Sequence, residues 1–328
     1  MHTQNWMKKI KKPAAIIITA IVINGLCFLY YNPLHNSQFN SYRLDPGLTG
    51  FQAKEGISYS YSDSRGFSNR QLPLSDSGYI LCMGSSQTAG ANVDVTERYT
   101  DVLNEMLGYE NELGVYNLGF SGGRFQDIIH NFKALMSEFP DAKMVVVEIG
   151  SMTPAIKKAE YEYAADQVDY TDIVTGDDLS KYDGQANMML NIKKSFPLAL
   201  LYYTQFNSWL EVEKANTVFA SEENEYFEEC LKLMRSRYDG QICFVYHHEI
   251  DPDITDINED NSICSLVDIC AKYDIQVINM VPVFEEYYLK TSKLPYGFNN
   301  STIGKGHLNK VGHALIAKAI YEYMEGGL

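Results

Sequence analysis

Tyr79-Ile80-Leu81-Cys82-Met83-Gly84-Ser85-Ser86-Gln87-Thr88 decides how the rest of the chain is read. A continuous apolar run stops abruptly at Gly-Ser-Ser, and a helical pattern follows about ten residues later. A strand buried on both faces reads this way when it delivers a small polar residue to the carboxyl edge of a parallel sheet. That edge is where open α/β sheets bind ligands. A serine there is a candidate nucleophile, provided a base elsewhere in the chain can reach it.

Outward from this stretch the pattern alternates. Apolar runs at Tyr79–Met83, Val115–Leu118, Met144–Ile149, Ile242–Tyr246 and Val277–Asn279 read as strands. Glu97–Leu107, Phe125–Glu138, Glu222–Arg237, Ser262–Tyr273 and Lys310–Met324 read as helices. The alternation predicts a three-layer α/β/α domain, flavodoxin-like, with a parallel sheet of about five strands spanning 79–328. One crossover is too long, with about ninety residues between Ile149 and Ile242 where a βαβ unit needs roughly thirty. The excess, at about 155–220, is an insertion: an acidic, tyrosine-rich stretch, then a helical one with Phe196, Tyr202, Tyr203, Phe206 and Trp209. It is either a wall over the site or a helical insertion burying its own aromatic residues.

The 328 residues carry a formal charge of −15. Four lysines (Lys8, Lys9, Lys11, Lys12) and no acids lie in the first 31 residues, so the remainder holds 23 basic against 42 acidic residues, a net −19. Such a surface repels phosphates, which argues against nucleic acid as a partner. After the basic residues 1–13, an almost unbroken apolar run at 14–31 is long enough for a membrane-spanning helix of roughly 17–25 residues. The lysines orient it with residues 1–13 cytoplasmic and everything after Tyr31 outside. No small-x-small cleavage site follows, so an uncleaved single-pass anchor is expected rather than a signal peptide. Residues 32–78 read as a stalk that folds back. In it Ile57, Tyr59 and Tyr61 alternate with serines and meet Ser64-Arg65-Gly66, the pattern of a short hairpin.

Of six cysteines, Cys27 falls in the anchor, and Cys82 and Cys243 fall in strand-like runs as buried thiols. Cys230, Cys264 and Cys270 leave room for one disulfide but form no framework. No CxxC or HExxH pattern points to zinc. Among the histidines, His130 lies off the apolar stripe of its helix and His313 in the opening turns of the last one. His247-His248-Glu249 follow the fourth strand, either supporting the site or exposed to water. His307 sits in Gly304-Lys305-Gly306-His307-Leu308-Asn309, where Asn309 is a suitable N-cap and would hold the loop in a defined turn.

Gly84-Ser85-Ser86-Gln87-Thr88, Asn117-Leu118-Gly119-Phe120-Ser121-Gly122-Gly123, and His307-Leu308-Asn309 with Gly312-His313 resemble three of the four signature blocks of the SGNH (GDSL-type) hydrolases, in the right order. The resemblance implies Ser86 as nucleophile, His307 as base, and the amides of Ser86 and Gly122 as oxyanion donors. It implies no metal or organic cofactor. Ser85 stands where the family usually has Asp. Two departures matter more. Met152 occupies the position of the third block's asparagine, with Ser151, Asn187 or another insertion residue as substitute donors. Gly304 occupies the position of the triad's acid, and no carboxylate lies between Glu286 and His307. A Ser–His dyad is therefore expected, the imidazole held by a backbone carbonyl, by Asn299, Asn300 or Thr302, or by a distant acid such as Glu148. Family and location together imply a membrane-anchored, extracytoplasmic esterase or O-acyltransferase. Its expected substrate is an O-acyl, chiefly acetyl, group on a cell-surface glycan or a small ester, with an integral-membrane acyl donor protein as partner if it transfers. The rival reading is a non-catalytic glycan-binding or polysaccharide-assembly protein on the same fold.

Overall fold

In the computed structural model the apolar runs become a five-stranded, all-parallel sheet. The structure describes residues 15–19, 21–23, 49–52, 55–56, 58–61, 63, 65–70, 78–90, 92–108, 113–120, 122–150, 155–167, 224–257 and 263–326. Two strands, β1 (Thr49–Gln52) and β2 (Ser58–Tyr61), form an antiparallel hairpin. The sheet comprises β3 (Tyr79–Met83), β4 (Gly114–Asn117), β5 (Ala142–Gly150), β6 (Gln241–His247) and β7 (Ile275–Asn279) in the order β4-β3-β5-β6-β7. This is the doubly wound 2-1-3-4-5 order, whose chain reversal lies between its first and third strands.

The described α-helices after β3 are α1 (Ser86–Ala89), α2 (Tyr99–Leu107), α3 (Phe125–Glu138), α4 (Lys158–Ala165), α5 (Asn224–Arg235), α6 (Cys264–Ala271), α7 (Met280–Thr291) and α8 (Lys310–Met324). On one face α8 packs on α2 and α7, and on the other α3, α4 and α5 pack together with α6 beside α5. Val145, Val146, Val147, Ile242, Phe244 and Val245 are fully enclosed between these layers, each contributing roughly 1.5–3 kcal/mol by burial. The unbroken apolar runs were therefore a sound sign of strands covered on both faces.

Four expectations change. First, the helix expected at 97–107 starts at Tyr99, with Arg98 extended between it and a separate 3₁₀ turn at Val95–Glu97, and a single helical turn closed by Gly90 at φ +61° opens at Ser86. Second, α7 was not anticipated, because Met280-Val281-Pro282-Val283-Phe284 continues the apolar run of β7 without a break. The Asn279 side chain caps it by accepting from Val281 N at 3.1 Å, and Pro282 falls in the first turn, where no intrahelical donor is lost. Third, the hairpin turns before Ile57 rather than at Ser64-Arg65-Gly66. The latter region is a separate turn around Asp63, whose carboxylate accepts from Arg65 N at 2.8 Å and Phe67 N at 3.1 Å. Fourth, Cys230, Cys264 and Cys270 form no disulfide; all five described cysteines are free thiols.

Beyond the hairpin the arm covers the free edge of β4. Asn69 accepts from Asn117 N at 2.8 Å and donates to Asn117 O at 3.0 Å, and Phe67 packs 5.9 Å from the rings of Tyr116 and Phe139. A strand edge with unpaired backbone groups needs such a cover. Contacts divide the chain into two compact units, Met1–Ser37 with Asp178–Val212, and Gln38–Asp177 with Glu213–Leu328. Within the first, residues 15–19 and 21–23 are helical and exposed. No helix among the described residues is long and apolar enough to cross a membrane. Most of the expected span at 14–31, and the aromatic stretch at 196–209, lie outside the described residues.

Candidate active site

β3 ends at Met83, and the chain turns at Gly84 so tightly that a side chain has no room. A Cβ there would lie 2.0 Å from Thr88 Oγ1 and 2.5 Å from Glu148 Oε2. Ser85 then caps α1, accepting from Gln87 N at 3.2 Å, which puts Ser86 at the first helical position on the carboxyl edge of the sheet. The loop after β4 is bound to this turn. Phe120 N donates to Gly84 O at 3.2 Å, and Asn117 donates to Thr88 O at 2.7 Å while accepting from Gly119 N at 2.8 Å. Gly122 follows in that loop, exposed, with φ +82°.

The base arrives on the segment before α8. Asn309 caps that helix by accepting from Val311 N at 2.9 Å and donates to Leu294 O at 2.9 Å and Gly297 O at 3.1 Å. With Gly297 N donating to His307 O at 2.9 Å, the loop is closed on itself. Its imidazole then stands with Nε2 2.8 Å from Ser86 Oγ. Gln87, next to Ser86, grips the peptides on both sides of His307: it accepts from Leu308 N at 2.7 Å and donates to Gly306 O at 3.2 Å.

The far side of the ring meets a residue that the sequence did not single out. Glu55, at the tip of the β1–β2 hairpin, has Oε2 2.6 Å from His307 Nδ1 and Oε1 accepting from His307 N at 2.8 Å. A carboxylate only accepts, so Nδ1 carries the proton and Nε2 is left to accept from Ser86. The expected dyad thus has a third partner, supplied 252 positions upstream. Asn300 does not touch the ring. It clamps the neighbouring Gly56, accepting from Gly56 N and donating to Gly56 O, both at 2.9 Å.

Glu148 does not orient His307 either. It is buried beneath Ser85, accepting on Oε2 from Ser85 N at 2.7 Å, Ser85 Oγ at 2.8 Å and Thr88 Oγ1 at 3.1 Å. Burial alone would raise its pKa, but His247 and the Ser85 donors outweigh that and hold it below the usual carboxyl range. His247 is buried rather than exposed to water, with Nε2 3.5 Å from Glu148 Oε1 and Nδ1 2.5 Å from the Tyr296 hydroxyl. His248 is half-buried, and Glu249 is exposed and accepts from Gly306 N at 2.6 Å. Burial beside Arg98 pushes His313 down to about 3, so it stays neutral and accepts from Tyr99 N at 3.2 Å. His130 stacks on Tyr163 at 4.3 Å, away from these groups. Ser151, Met152 and Asn187 lie outside the described residues.

A hydroxyl, an imidazole and a carboxylate in hydrogen-bonded series, at the switch point of a parallel sheet, form the set of groups needed for serine-dependent acyl transfer. No family model and no curated protein matches the sequence. Among solved structures, the chain is similar to a member of the lipolytic protein G-D-S-L family from Veillonella parvula. The two are 14% identical with a TM-score of 0.42, over 75% of this chain and 98% of that one. It is also similar to LAE5, an alpha/beta hydrolase enzyme from the metagenome of Lake Arreo, at 15% identity and TM-score 0.43, over 76% and 96%. The acetyl xylan esterase AlAXEase is 13% identical with TM-score 0.41, over 75% and 98%.

Proposed function

We propose that the protein is an SGNH-type serine esterase or O-acyltransferase, anchored in the membrane by residues 14–31 and acting outside it on acyl groups, chiefly acetyl, of a cell-surface glycan. The observation that carries the reading is the 2.8 Å separation of Ser86 Oγ and His307 Nε2. Ser86 Oγ bonds to the ester carbonyl carbon as its proton passes to His307 Nε2. The amides of Ser86 and Gly122 receive the oxyanion. The C–O bond to the leaving alcohol then breaks as His307 returns the proton. Water, or a sugar hydroxyl, resolves the acyl-enzyme by the same steps in reverse order. Transfer would draw its acyl group from an integral-membrane donor protein. The four lysines before an apolar run support the anchor, and that address supports a surface glycan as substrate.

The test uses the full chain in detergent with a fluorophosphonate probe and p-nitrophenyl acetate, comparing wild type, Ser86→Ala and His307→Ala. A wild-type adduct and turnover, both lost in the two variants, are expected. Neither adduct nor turnover in the wild type would leave the glycan-binding or assembly reading in place. Adding an acetylated or free glycan then separates hydrolysis from transfer by whether acetate or acetylated sugar accumulates.

A further inference from the structure

We infer that Glu55 is the residue that positions and electrostatically supports His307, so that the hairpin before the sheet is a working part of the site rather than a tether. The inference rests on the esterase reading above and adds a residue to it. Four observations carry it.

The Glu55 carboxylate holds one residue at two points. One oxygen takes the backbone N–H of His307 at 2.8 Å and the other takes Nδ1–H at 2.6 Å. Backbone and ring are thereby fixed together, which sets the tautomer and aims Nε2 at Ser86. The hairpin tip is in turn locked to the loop that carries the base, through the two hydrogen bonds between the Asn300 side chain and the Gly56 backbone. Space is reserved for the contact as well: at Gly306, with φ +89°, a Cβ would lie 2.3 Å from Glu55 Oε1. Finally, the competing acids are committed elsewhere, Glu249 to Gly306 N and Glu148 to Ser85 and Thr88. Glu55 is 19% exposed and His307 32%, so the pair is partly withdrawn from water, where a carboxylate stabilises imidazolium more than it would at the open surface.

Three variants of the full chain test this: Glu55→Gln, Glu55→Asp and Asn300→Ala. Glu55→Gln keeps the shape and can still accept a hydrogen bond, but it loses the charge. Its kcat is expected to fall by about 10³–10⁴-fold with KM nearly unchanged. Glu55→Asp should recover part of the loss, and Asn300→Ala, which only loosens the hairpin, should cost about 10–100-fold. Proton NMR supplies a readout independent of turnover. A low-field Nδ1–H resonance, assigned by its disappearance in His307→Gln, should be present in the wild type and move upfield or vanish in Glu55→Gln, where the acceptor is no longer charged. Wild-type kcat in Glu55→Gln, or that resonance at an unchanged shift, overturns the inference. If the wild type does not turn over at all, the esterase reading fails by itself, and the resonance alone decides whether Glu55 holds the ring.

Discussion

Two sets of hydroxyl, imidazole and carboxylate lie side by side at the carboxyl edge of this sheet. Ser86, His307 and Glu55 form one, and Tyr296, His247 and Glu148 the other. In the first, the contacts are 2.8 Å and 2.6 Å and the imidazole is about a third exposed. In the second, the hydroxyl contact is 2.5 Å, but the imidazole–carboxylate distance opens to 3.5 Å and the imidazole is 4% exposed. The difference teaches that composition does not make a catalytic set. Burial, followed by the charge of Glu148, pushes the Tyr296 hydroxyl well above its ordinary value, and the residue is only 2% exposed, which favours a neutral structural hydroxyl over a nucleophile. The buried set instead ties the nucleophile's turn to the base's loop. Glu148 anchors Ser85, and Tyr296, across from Leu308 in a β-bridge, anchors the loop of His307.

The contrast is sharpest for the nucleophile. Ser86→Ala should lower kcat by as much as about 10⁶-fold, the scale seen when a nucleophile acting as one unit with its base is removed. Unfolding midpoints should be unchanged, because Ser86 is only partly buried. Initial rates on p-nitrophenyl acetate with parallel urea titrations measure both. A large stability loss would place Ser86 in the structural set instead.

The acids should behave in the opposite sense. Glu148→Leu removes the acceptor for Ser85 N, Ser85 Oγ and Thr88 Oγ1 at once, leaving the buried Thr88 hydroxyl and the half-buried Ser85 donors without it. Breaking a buried charged network of this kind costs about 3–5 kcal/mol. Glu55→Leu, at the partly exposed hairpin tip, should cost about 1 kcal/mol while taking most of the activity. Urea unfolding of the two variants decides, and equal losses would erase the distinction.

Acid should find the same asymmetry. The folded pKa of Glu148 lies below that of an unfolded glutamate, so the unfolded chain takes up its proton first as pH falls. The stability that Glu148 contributes is complete above the ordinary glutamate range and is lost as pH drops through its folded value. In Glu148→Gln the acid side of the stability–pH curve should therefore be flatter than in the wild type. A curve of unchanged slope would mean that Glu148 titrates alike in both states.

Much of this architecture was legible because it follows from local physics. The strands buried on both faces announce themselves as apolar runs, and Asn309 before Lys310–Met324 reads as a helix cap. Ser86 and His307 are marked by strand end and loop position. Glu55 was not, since nothing near His307 in sequence predicts that a hairpin 252 positions away will dock there. Only the absence of an acid between Glu286 and His307 signalled that one was owed from elsewhere. Asn300 is one of several residues that the sequence offers to hold the ring; it pairs with the Gly56 backbone instead, because an amide can bond to a backbone as readily as to a ring. His247 could be read either as supporting the site or as exposed to water; the strand runs one residue further than its apolar pattern and ends on it, and the Tyr296 and Phe284 rings pack beside it, their centroids 6.0 Å and 6.4 Å from its own.

The smallest effect expected is that of the second hydroxyl. Tyr296→Phe removes the partner of His247 Nδ1 and leaves that nitrogen buried without one. The price is on the order of 1–2 kcal/mol of stability. The ring still packs 5.9 Å from Phe284, and the β-bridge to Leu308 runs through the backbone. The loop of His307 therefore keeps its course, and kcat should stay within about threefold of wild type. Set beside Ser86→Ala, this removes a hydroxyl from each set with opposite results, one acting on rate and the other on folding. A loss of kcat in Tyr296→Phe comparable to that of Ser86→Ala would join the two sets into a single proton path and break the comparison.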